Sequence, residues 1–215
     1  MKLYKYRSLR KFDFVADILC NQRFHASSFF DLNDPMEGLF EYPESTKQEY
    51  IDAIIEGKRK LRICAFSKDC KNILLWAHYA DGFKGICIEI DLREPKLGET
   101  EDYEIVTVEY SLQRVYFSNN ARHRVDEMPR IILSKKNKVW KYEKEVRTLS
   151  RDEYINDGAS IKSILLGLRT PEILKEAIFR ITPKDIPIFE TYISDSNKIE
   201  KGRRFTPANG VEHDK

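Results

Sequence analysis

The sequence lacks the patterns that identify several large protein classes. Its four cysteines, Cys20, Cys64, Cys70 and Cys87, are widely spaced and include no C-x-x-C pair. Cys64 and Cys87 lie inside apolar runs, which predicts buried strand packing for both. No basic-then-apolar leader opens the chain, and no run of about 18 apolar residues occurs in it. These absences predict a reduced, soluble, cytoplasmic protein without a membrane partner.

Signatures of common enzyme classes are missing as well. No Walker-type loop, no G-x-G-x-x-G before a helix and no G-x-S-x-G elbow occurs, so nucleoside triphosphate hydrolysis and serine-esterase chemistry have no support. No pair among the four histidines has metal-ligand spacing, and no bound metal is expected. The net charge of +2, from 37 basic and 35 acidic residues, argues neither for nor against nucleic acid.

What the sequence does contain is the composition of one ordinary globular domain. Its 215 residues are 41% hydrophobic, which is enough for a proper core. Short strand and helix patterns follow one another without a repeat, and strand–helix alternation is not sustained. We therefore predict an α+β fold. It would have a mixed or mostly antiparallel sheet with small flanking helices, a single domain over residues 1–200 and a flexible C-terminal tail over 201–215.

Several elements are predicted with definite ends. The runs "LYKYRS", "RICAFS" and "GICIEIDL" are typical of strands. One helix is predicted to start at an N-cap, Ser45 or Thr46, and to be interrupted by Gly57. A second compact helix is predicted to start at the cap Asn72, and a third to continue from Pro129 through "RIILSKKNKVW".

The stretch "KVWKYEKEVRTLS" places like charges at alternating positions. A strand is predicted from Tyr142 onward, and Glu143, Glu145 and Arg147 then share one face. Carboxylates at neighbouring positions of one face repel each other, so this pattern indicates a functional requirement. The alternative is a surface helix in which Glu143 and Arg147 form an i,i+4 pair worth about 0.3 kcal/mol.

Polar residues that a fold does not require form five clusters along the chain. Each has a structural explanation: an arginine stem can pack on aromatic rings, "NDP" makes a good turn, and a tryptophan is more often core. The glutamate pair is the strongest signal, because such a carboxylate can stabilise charge, act as a base or bind metal. The candidate catalytic residues are Glu143 and Glu145, and the candidate ligand-binding residues are Arg7, Ser27, Asn33, Asp34, Glu37, Ser67, Trp76, His78, Tyr79 and Arg147.

Several of these clusters lie in segments that resemble one bacterial family. The segments "LYKYR", "ASSFFDLNDPMEG", "CAFS", "LLWAHYADGFKGICIEID", "VEY" and "VWKYEKEVRTL" together are similar to the domain of unknown function 2971, DUF2971. The resemblance extends from about residue 3 to residue 167 and is specific as a combination. It implies no particular reaction.

A looser resemblance is to ADP-ribosyltransferases. Those enzymes place an arginine or histidine on the first strand, a serine or aromatic residue on a middle strand and a Glu-x-Glu motif on a late strand. Arg7, Ser67 and the "EKE" of the quoted stretch follow that order. The resemblance implies NAD as co-substrate, with Tyr79 or Trp76 stacked on the nicotinamide.

The same resemblance implies a role for each residue of the motif. Arg7 would bind the NAD diphosphate through bidentate hydrogen bonds, and Ser67 would orient the ribose or the glutamate. Glu145 would stabilise the oxocarbenium-like cation that remains when nicotinamide departs, and Glu143 would activate the acceptor.

Three functional hypotheses follow from the sequence. The first is an NAD-dependent ADP-ribosyl-transferring enzyme, a toxin or defence effector acting on nucleic acid or protein. The second is a magnesium-dependent nuclease-like enzyme that uses Asp34, Glu37, Glu143 and Glu145 as ligands. The third is a non-enzymatic ligand- or protein-binding module in which the "NDPME" and "WAHYADG" segments form a pocket or a partner surface, with Glu143 and Arg147 as a structural ion pair. A nucleotide-like small molecule is the expected partner. The acceptor and the oligomeric state stay open.

Overall fold

The computed structural model describes residues 1–95, 103–118, 124–156 and 158–207. The chain divides into two compact units, each built from separated segments. The first comprises Met1–Arg23, Ser67–Arg93 and Ala159–Lys215, and the second comprises Phe24–Phe66 and Glu94–Gly158. Short helices accompany strands that pair mostly antiparallel, which confirms the predicted α+β class. The single domain over residues 1–200 stays a prediction.

The elements are short throughout. The helices are α1 (Phe12–Asn21), α2 (Gln48–Lys60), α3 (Ile73–Tyr79), α4 (Met128–Leu133) and α5 (Glu172–Ile181), with 3-10 helices at Phe29–Asp31 and Lys138–Glu143. The strands are β1 (Lys2–Arg7), β2 (Phe24–His25), β3 (Ser27–Ser28), β4 (Phe40–Glu41), β5 (Arg62–Ser67), β6 (Ile86–Leu92), β7 (Tyr103–Thr107), β8 (Glu109–Ser111), β9 (Val115–Tyr116), β10 (Lys135–Asn137), β11 (Glu145–Ser150), β12 (Tyr154–Ile155), β13 (Ala159–Leu166), β14 (Ile188–Ile193) and β15 (Ile199–Arg204). Across the described ranges, no helix has both the length and the apolar composition that a membrane crossing requires.

The first unit is built on five strands in the order β15–β14–β13–β6–β1. β6 pairs antiparallel with both neighbours, so Ile90 lies opposite Leu3 and Ile88 lies opposite Ile164. All four side chains are fully buried and lie on one face of the sheet, because directly paired residues and residues two apart on a strand share a face. Cys87 of β6 is buried as predicted.

The second unit contains β5, β11 and β7 as adjacent strands, with β3 paired to β5. β11 and β7 run antiparallel, and every residue of β11 is buried. Two small parallel pairs, β4–β9 and β8–β10, and the antiparallel pair β2–β12 complete this unit. Its apolar core includes Ile54, Phe117 and Ile132, and Cys64 is buried here as predicted.

The helix ends follow the sequence signals in one case and depart from them in another. The Asn72 side chain accepts a hydrogen bond from Leu74 N at 2.9 Å, which confirms the predicted cap of α3. The predicted start of α2 at Ser45 or Thr46 is wrong, because the residue before the helix is Lys47. Gly57 does not interrupt α2 either.

Gly57 instead allows α2 to approach α4 closely. A Cβ atom at this position would lie 2.5 Å from Pro129 Cγ, well inside van der Waals contact. The glycine therefore serves helix packing and not helix termination. The predicted helix after Pro129 is too long: α4 ends at Leu133, and the chain then forms β10.

A strand near the C-terminal end of the chain was not predicted from the sequence. Residues 199–204 form β15, which pairs antiparallel with β14. Phe205 is buried behind it. The flexibility of the tail from residue 201 stays a prediction, and residues 208–215 of it lie outside the described residues. Short polar strands such as "IEKGRR" lack the apolar alternation that would have identified them.

Candidate functional site

Five charged side chains of the second unit form one buried ion-pair network. Between 1% and 6% of each side chain is exposed. The network, called the charge network below, combines three carboxylates with two cations. Its members are Glu37, Lys136, Glu143, Glu145 and Arg147.

The backbone around Lys144 brings the two glutamates of the "EKE" sequence to the network. Lys144 has a left-handed conformation with φ of 47°, and it separates the 3-10 helix Lys138–Glu143 from β11. The predicted strand from Tyr142 is therefore wrong, and Glu143 does not share a strand face with Glu145. Glu145 and Arg147 do share a face of β11, as predicted, because they are two residues apart on one strand.

Lys136 lies at the centre of the three carboxylates. Its Nζ is 2.6 Å from Glu143 Oε2, 3.1 Å from Glu145 Oε2 and 3.0 Å from Glu37 Oε1. The ring of Trp140 covers the ammonium, with 5.1 Å between Nζ and the ring centroid. Burial lowers the pKa of Lys136, but the carboxylates raise it further, so the net pKa lies above the ordinary value. The ammonium is therefore permanently charged.

Arg147 connects Glu145 to Glu37. Its Nε donates to Glu145 Oε1 at 2.6 Å, and its Nη2 donates to Glu145 Oε2 at 3.2 Å. Nη2 also donates to Glu37 Oε2, and Nη1 donates to the Leu133 carbonyl at 2.8 Å. The bidentate contact fixes the guanidinium plane, so the position of Glu37 depends on Arg147.

Both carboxylate oxygens of Glu145 are bound by cations. Burial raises the pKa of Glu145, but Arg147 and Lys136 lower it more strongly, to about 2. The Glu145 backbone N–H donates to Tyr110 Oη at 2.7 Å, which ties β11 to β8. Glu145 is thus ionised and fully engaged with the side chains around it.

The "NDPME" turn delivers Glu37 to the network. Asp34 Oδ1 accepts from Met36 N at 2.9 Å, and the Asp34 carbonyl accepts from Glu37 N at 3.0 Å. Gly38 follows with φ of 76°, a conformation that favours glycine. Asp34 therefore shapes the turn, and Asn33 is exposed outside the network.

A pocket of about 520 Å³ lies beside the charge network. Its wall is formed mainly by the segments 36–39, 111–116 and 135–137, and it includes Glu37 and Lys136 from the network. Glu37 Oε1 is buried and ion-paired with Lys136 Nζ at 3.0 Å, and it accepts no well-aligned hydrogen bond from the described residues. The two hydrogen bonds that Lys136 donates go to Glu143 and Glu145.

The first unit holds the remaining residues of the predicted motif. Arg7 ends β1 opposite Ile86, and Ser67 Oγ accepts from Asp69 N at 3.0 Å in a turn. Trp76 is fully buried and donates from Nε1 to the Cys70 carbonyl at 2.8 Å, as a core residue does. His78 is exposed and Tyr79 is partly exposed on the same helix.

The structure thus brings together four of the predicted site residues. These are Glu37, Glu143, Glu145 and Arg147. Ser27 lies apart from them on β3, opposite Ile63 of β5. The residue that sequence reasoning missed is Lys136, because it lies among the polar residues "SKKNK" and carries no local signal of its burial.

The geometry gives no support to a magnesium site. Among the residues that the structure describes, no group of three or more His, Cys, Asp or Glu side chains is arranged to hold a metal ion. The ammonium of Lys136 occupies the point between the three carboxylates that a divalent cation would require.

The segment that supplies most of the charge network can be compared with known proteins. Residues 75–148 match a family model described as "Protein of unknown function (DUF2971)". The predicted resemblance to this family is confirmed over that range. The matched DUF2971 segment contains Lys136, Glu143, Glu145 and Arg147, whereas Glu37 precedes it. No curated protein and no solved structure matches the chain.

Proposed function

We propose that the chain binds a nucleotide-like small molecule in the pocket beside the charge network. The candidate ligand is NAD, and the proposed reaction is transfer of its ADP-ribosyl group to a protein or nucleic-acid acceptor. The observation that carries this proposal is the position of Glu37. This buried carboxylate belongs both to the network and to the pocket wall, and its Oε1 atom is ion-paired with Lys136 Nζ at 3.0 Å without a well-aligned hydrogen bond from the described residues.

The electrostatics of the network support a cationic centre in the ligand. Three carboxylates face two cations, and the low pKa of Glu145 keeps its charge at all physiological pH values. Loss of nicotinamide from NAD leaves positive charge on the ribose, and a carboxylate held in place stabilises such a charge electrostatically. Interactions of this kind are stronger where water is excluded.

The proposal assigns different roles to the carboxylates from those implied by the sequence resemblance. Glu37 is the carboxylate that contacts the ribose of the ligand. Glu145 acts through Arg147 and Lys136, because its oxygens are hydrogen-bonded to them and, among the described residues, it is not part of the pocket wall. Glu143 holds the other side of the Lys136 ammonium.

The remainder of the pocket wall offers groups that suit a nucleotide. The ring of Tyr116 is 60% exposed and provides a face for a base. Arg114 and Lys135, which form partly exposed ion pairs with Glu41 and Glu109, would provide positive charge for a diphosphate, and Asn137 would provide an amide donor. The volume of about 520 Å³ lies in the range of small-molecule sites.

The test combines ligand binding with product analysis. NAD at millimolar concentration should raise the melting temperature of the wild-type protein, and chromatography should detect released nicotinamide. Glu37→Gln keeps the side-chain size, so NAD binding should persist while nicotinamide release falls by about 100-fold or more. Glu49→Gln, an exposed glutamate of the same unit, is the matched control and should behave as wild type.

Two results decide between catalysis and binding alone. The complete engagement of the Glu145 oxygens favours a second candidate function, a binding module without chemistry. Stabilisation by NAD or another nucleotide without nicotinamide release would support that module. If no nucleotide stabilises the wild-type protein at millimolar concentration, the proposed ligand class is wrong.

A further inference from the structure

Lys58 is a buried lysine of α2 that lies outside the charge network. Its Nζ donates to the Gly38 carbonyl at 2.7 Å. The same ammonium lies 4.9 Å from the ring centroid of Phe29 and 5.1 Å from that of Phe40. An ammonium between two aromatic faces is attracted to both rings, and its hydrogen bond to a carbonyl is charge-assisted.

The residues around Lys58 are those that carry Glu37 into the pocket wall. Phe29 and Phe40 flank the segment that contains the turn at Asp34, and Gly38 directly follows Glu37. A Cβ atom at Gly38 would lie 3.0 Å from the Phe29 ring, so the peptide packs tightly against that ring. The Asp34 turn therefore fixes the backbone on the N-terminal side of Glu37. The Lys58 ammonium fixes the Gly38 carbonyl on its C-terminal side.

A lysine at this position is a costly way to fill apolar space. Burial lowers the pKa of Lys58, because the charged form loses its hydration. A methionine would fill a similar volume without that desolvation. The lysine is thus better explained by the geometry it imposes on Gly38 than by its contribution to the stability of the fold.

We propose that Lys58 is a positioning residue that fixes the pocket wall at Glu37 through the Gly38 carbonyl. The ammonium holds that carbonyl between Phe29 and Phe40, and the Glu37 carboxylate is thereby presented to the pocket. The effect of Lys58 on ligand affinity rests on the proposed function. The effect of Lys58 on the conformation of residues 36–40 is independent of the proposed function.

The decisive experiment is amide hydrogen exchange of residues 36–40 in the intact protein. In Lys58→Met, exchange at these amides should accelerate about tenfold or more, while the exchange of β11 stays as in wild type. Lys58→Arg keeps a cation and should restore part of the protection. Lys60→Met, on the same helix but 62% exposed at its side chain, is the matched control and should change nothing.

NAD affinity provides the second readout. In Lys58→Met the dissociation constant should rise about tenfold, and Lys58→Arg should recover part of that loss. Equal exchange at residues 36–40 in wild type and Lys58→Met would overturn the positioning role. If the wild-type protein binds no NAD, the proposed function fails, and the exchange measurement still decides the role of Lys58.

A milder variant guards against failure of Lys58→Met to fold. Phe40→Leu removes one of the two rings and leaves the lysine and its hydrogen bond acceptor in place. The exchange of residues 36–40 should then accelerate by a smaller factor than in Lys58→Met. No acceleration at all in Phe40→Leu would contradict the role assigned to the paired rings.

Discussion

Arg147 makes contact with two carboxylates and a backbone carbonyl while it is almost completely buried. Arg147→Met should destabilise the protein by about 3–5 kcal/mol, because Glu37 and Glu145 would stay buried without this cation. Urea unfolding monitored by fluorescence measures the loss. A variant as stable as wild type would mean that water reaches the carboxylates.

A matched arginine on the surface provides the control for this substitution. Arg10 lies 2.6 Å from Asp81, but its side chain is 76% exposed. Solvent screens exposed pairs, so Arg10→Met should cost only about 0–1 kcal/mol. The difference between the two arginine variants then isolates the contribution of burial.

Glu145 makes the free energy of unfolding decrease at acid pH. Its pKa is about 2 in the folded protein against an ordinary 4.5, so the unfolded chain binds the proton more readily. The stabilisation from Glu145 is complete above pH 4.5 and is lost as the pH falls toward 2. Urea unfolding between pH 6 and pH 2 should show a steeper loss in wild type than in Glu145→Gln. Parallel curves would contradict this assignment.

Single residues of the site differ in how well the sequence predicts them. Glu37, Glu143, Glu145 and Arg147 stand out because a turn or a strand does not require their charges. Lys136 does not stand out, because it lies among other lysines in "SKKNK". Its burial depends on carboxylates from two segments far from each other in sequence, the turn that carries Glu37 and the "EKE" sequence, and no local pattern predicts such a long-range contact.

At the scale of elements, the contact between α2 and α4 reverses the usual effect of replacing a helix glycine by alanine. Alanine is about 1 kcal/mol better than glycine in a helix interior. Gly57→Ala should nevertheless destabilise the protein by about 1–3 kcal/mol, because its Cβ atom would meet Pro129 Cγ at 2.5 Å. Thermal or urea unfolding measures the change.

Ala53 offers the reverse substitution on the same helix. It is exposed, so Ala53→Gly reports helix propensity alone and should cost about 1 kcal/mol. A stabilised Gly57→Ala variant would show that α4 moves aside at little cost, and the packing role of Gly57 would then be rejected.

Elements with repeated local signals were predicted well. The alternation in "GICIEIDL" identified β6, and the asparagine before "ILLWAHY" identified the start of α3. The break at Lys144 was missed, because lysine has no preference for the left-handed conformation. If the break is not recognised, the alternating charges of Glu143, Glu145 and Arg147 predict one continuous strand.

At the scale of the whole molecule, the two units are interleaved along the chain. The second unit takes Phe24–Phe66 and Glu94–Gly158, while the first supplies the residues before, between and after these ranges. The sequence contains no linker where the chain passes from one unit to the other, so its composition does not predict the division into two units. A fragment cut at a single point cannot contain the first unit whole, and a fragment that contains the second unit also carries incomplete parts of the first. Tests of the site therefore require the full chain.

The charge network is completed between residues far apart in sequence, since Glu37 and Arg147 are 110 positions apart. Contacts of such long range form late when a chain folds, and these charges must also lose their water before they pair. We therefore expect the network to be absent from the folding transition state. Glu37→Gln should then accelerate unfolding and leave the folding rate close to wild type, which stopped-flow kinetics in urea can measure.

Equal effects on the two rates would place the network in the transition state instead. With the expected result, the buried charges govern how long the folded state lasts and not how quickly it forms. The three carboxylates and two cations would then protect the chain against transient opening, and hence against proteolysis that depends on it.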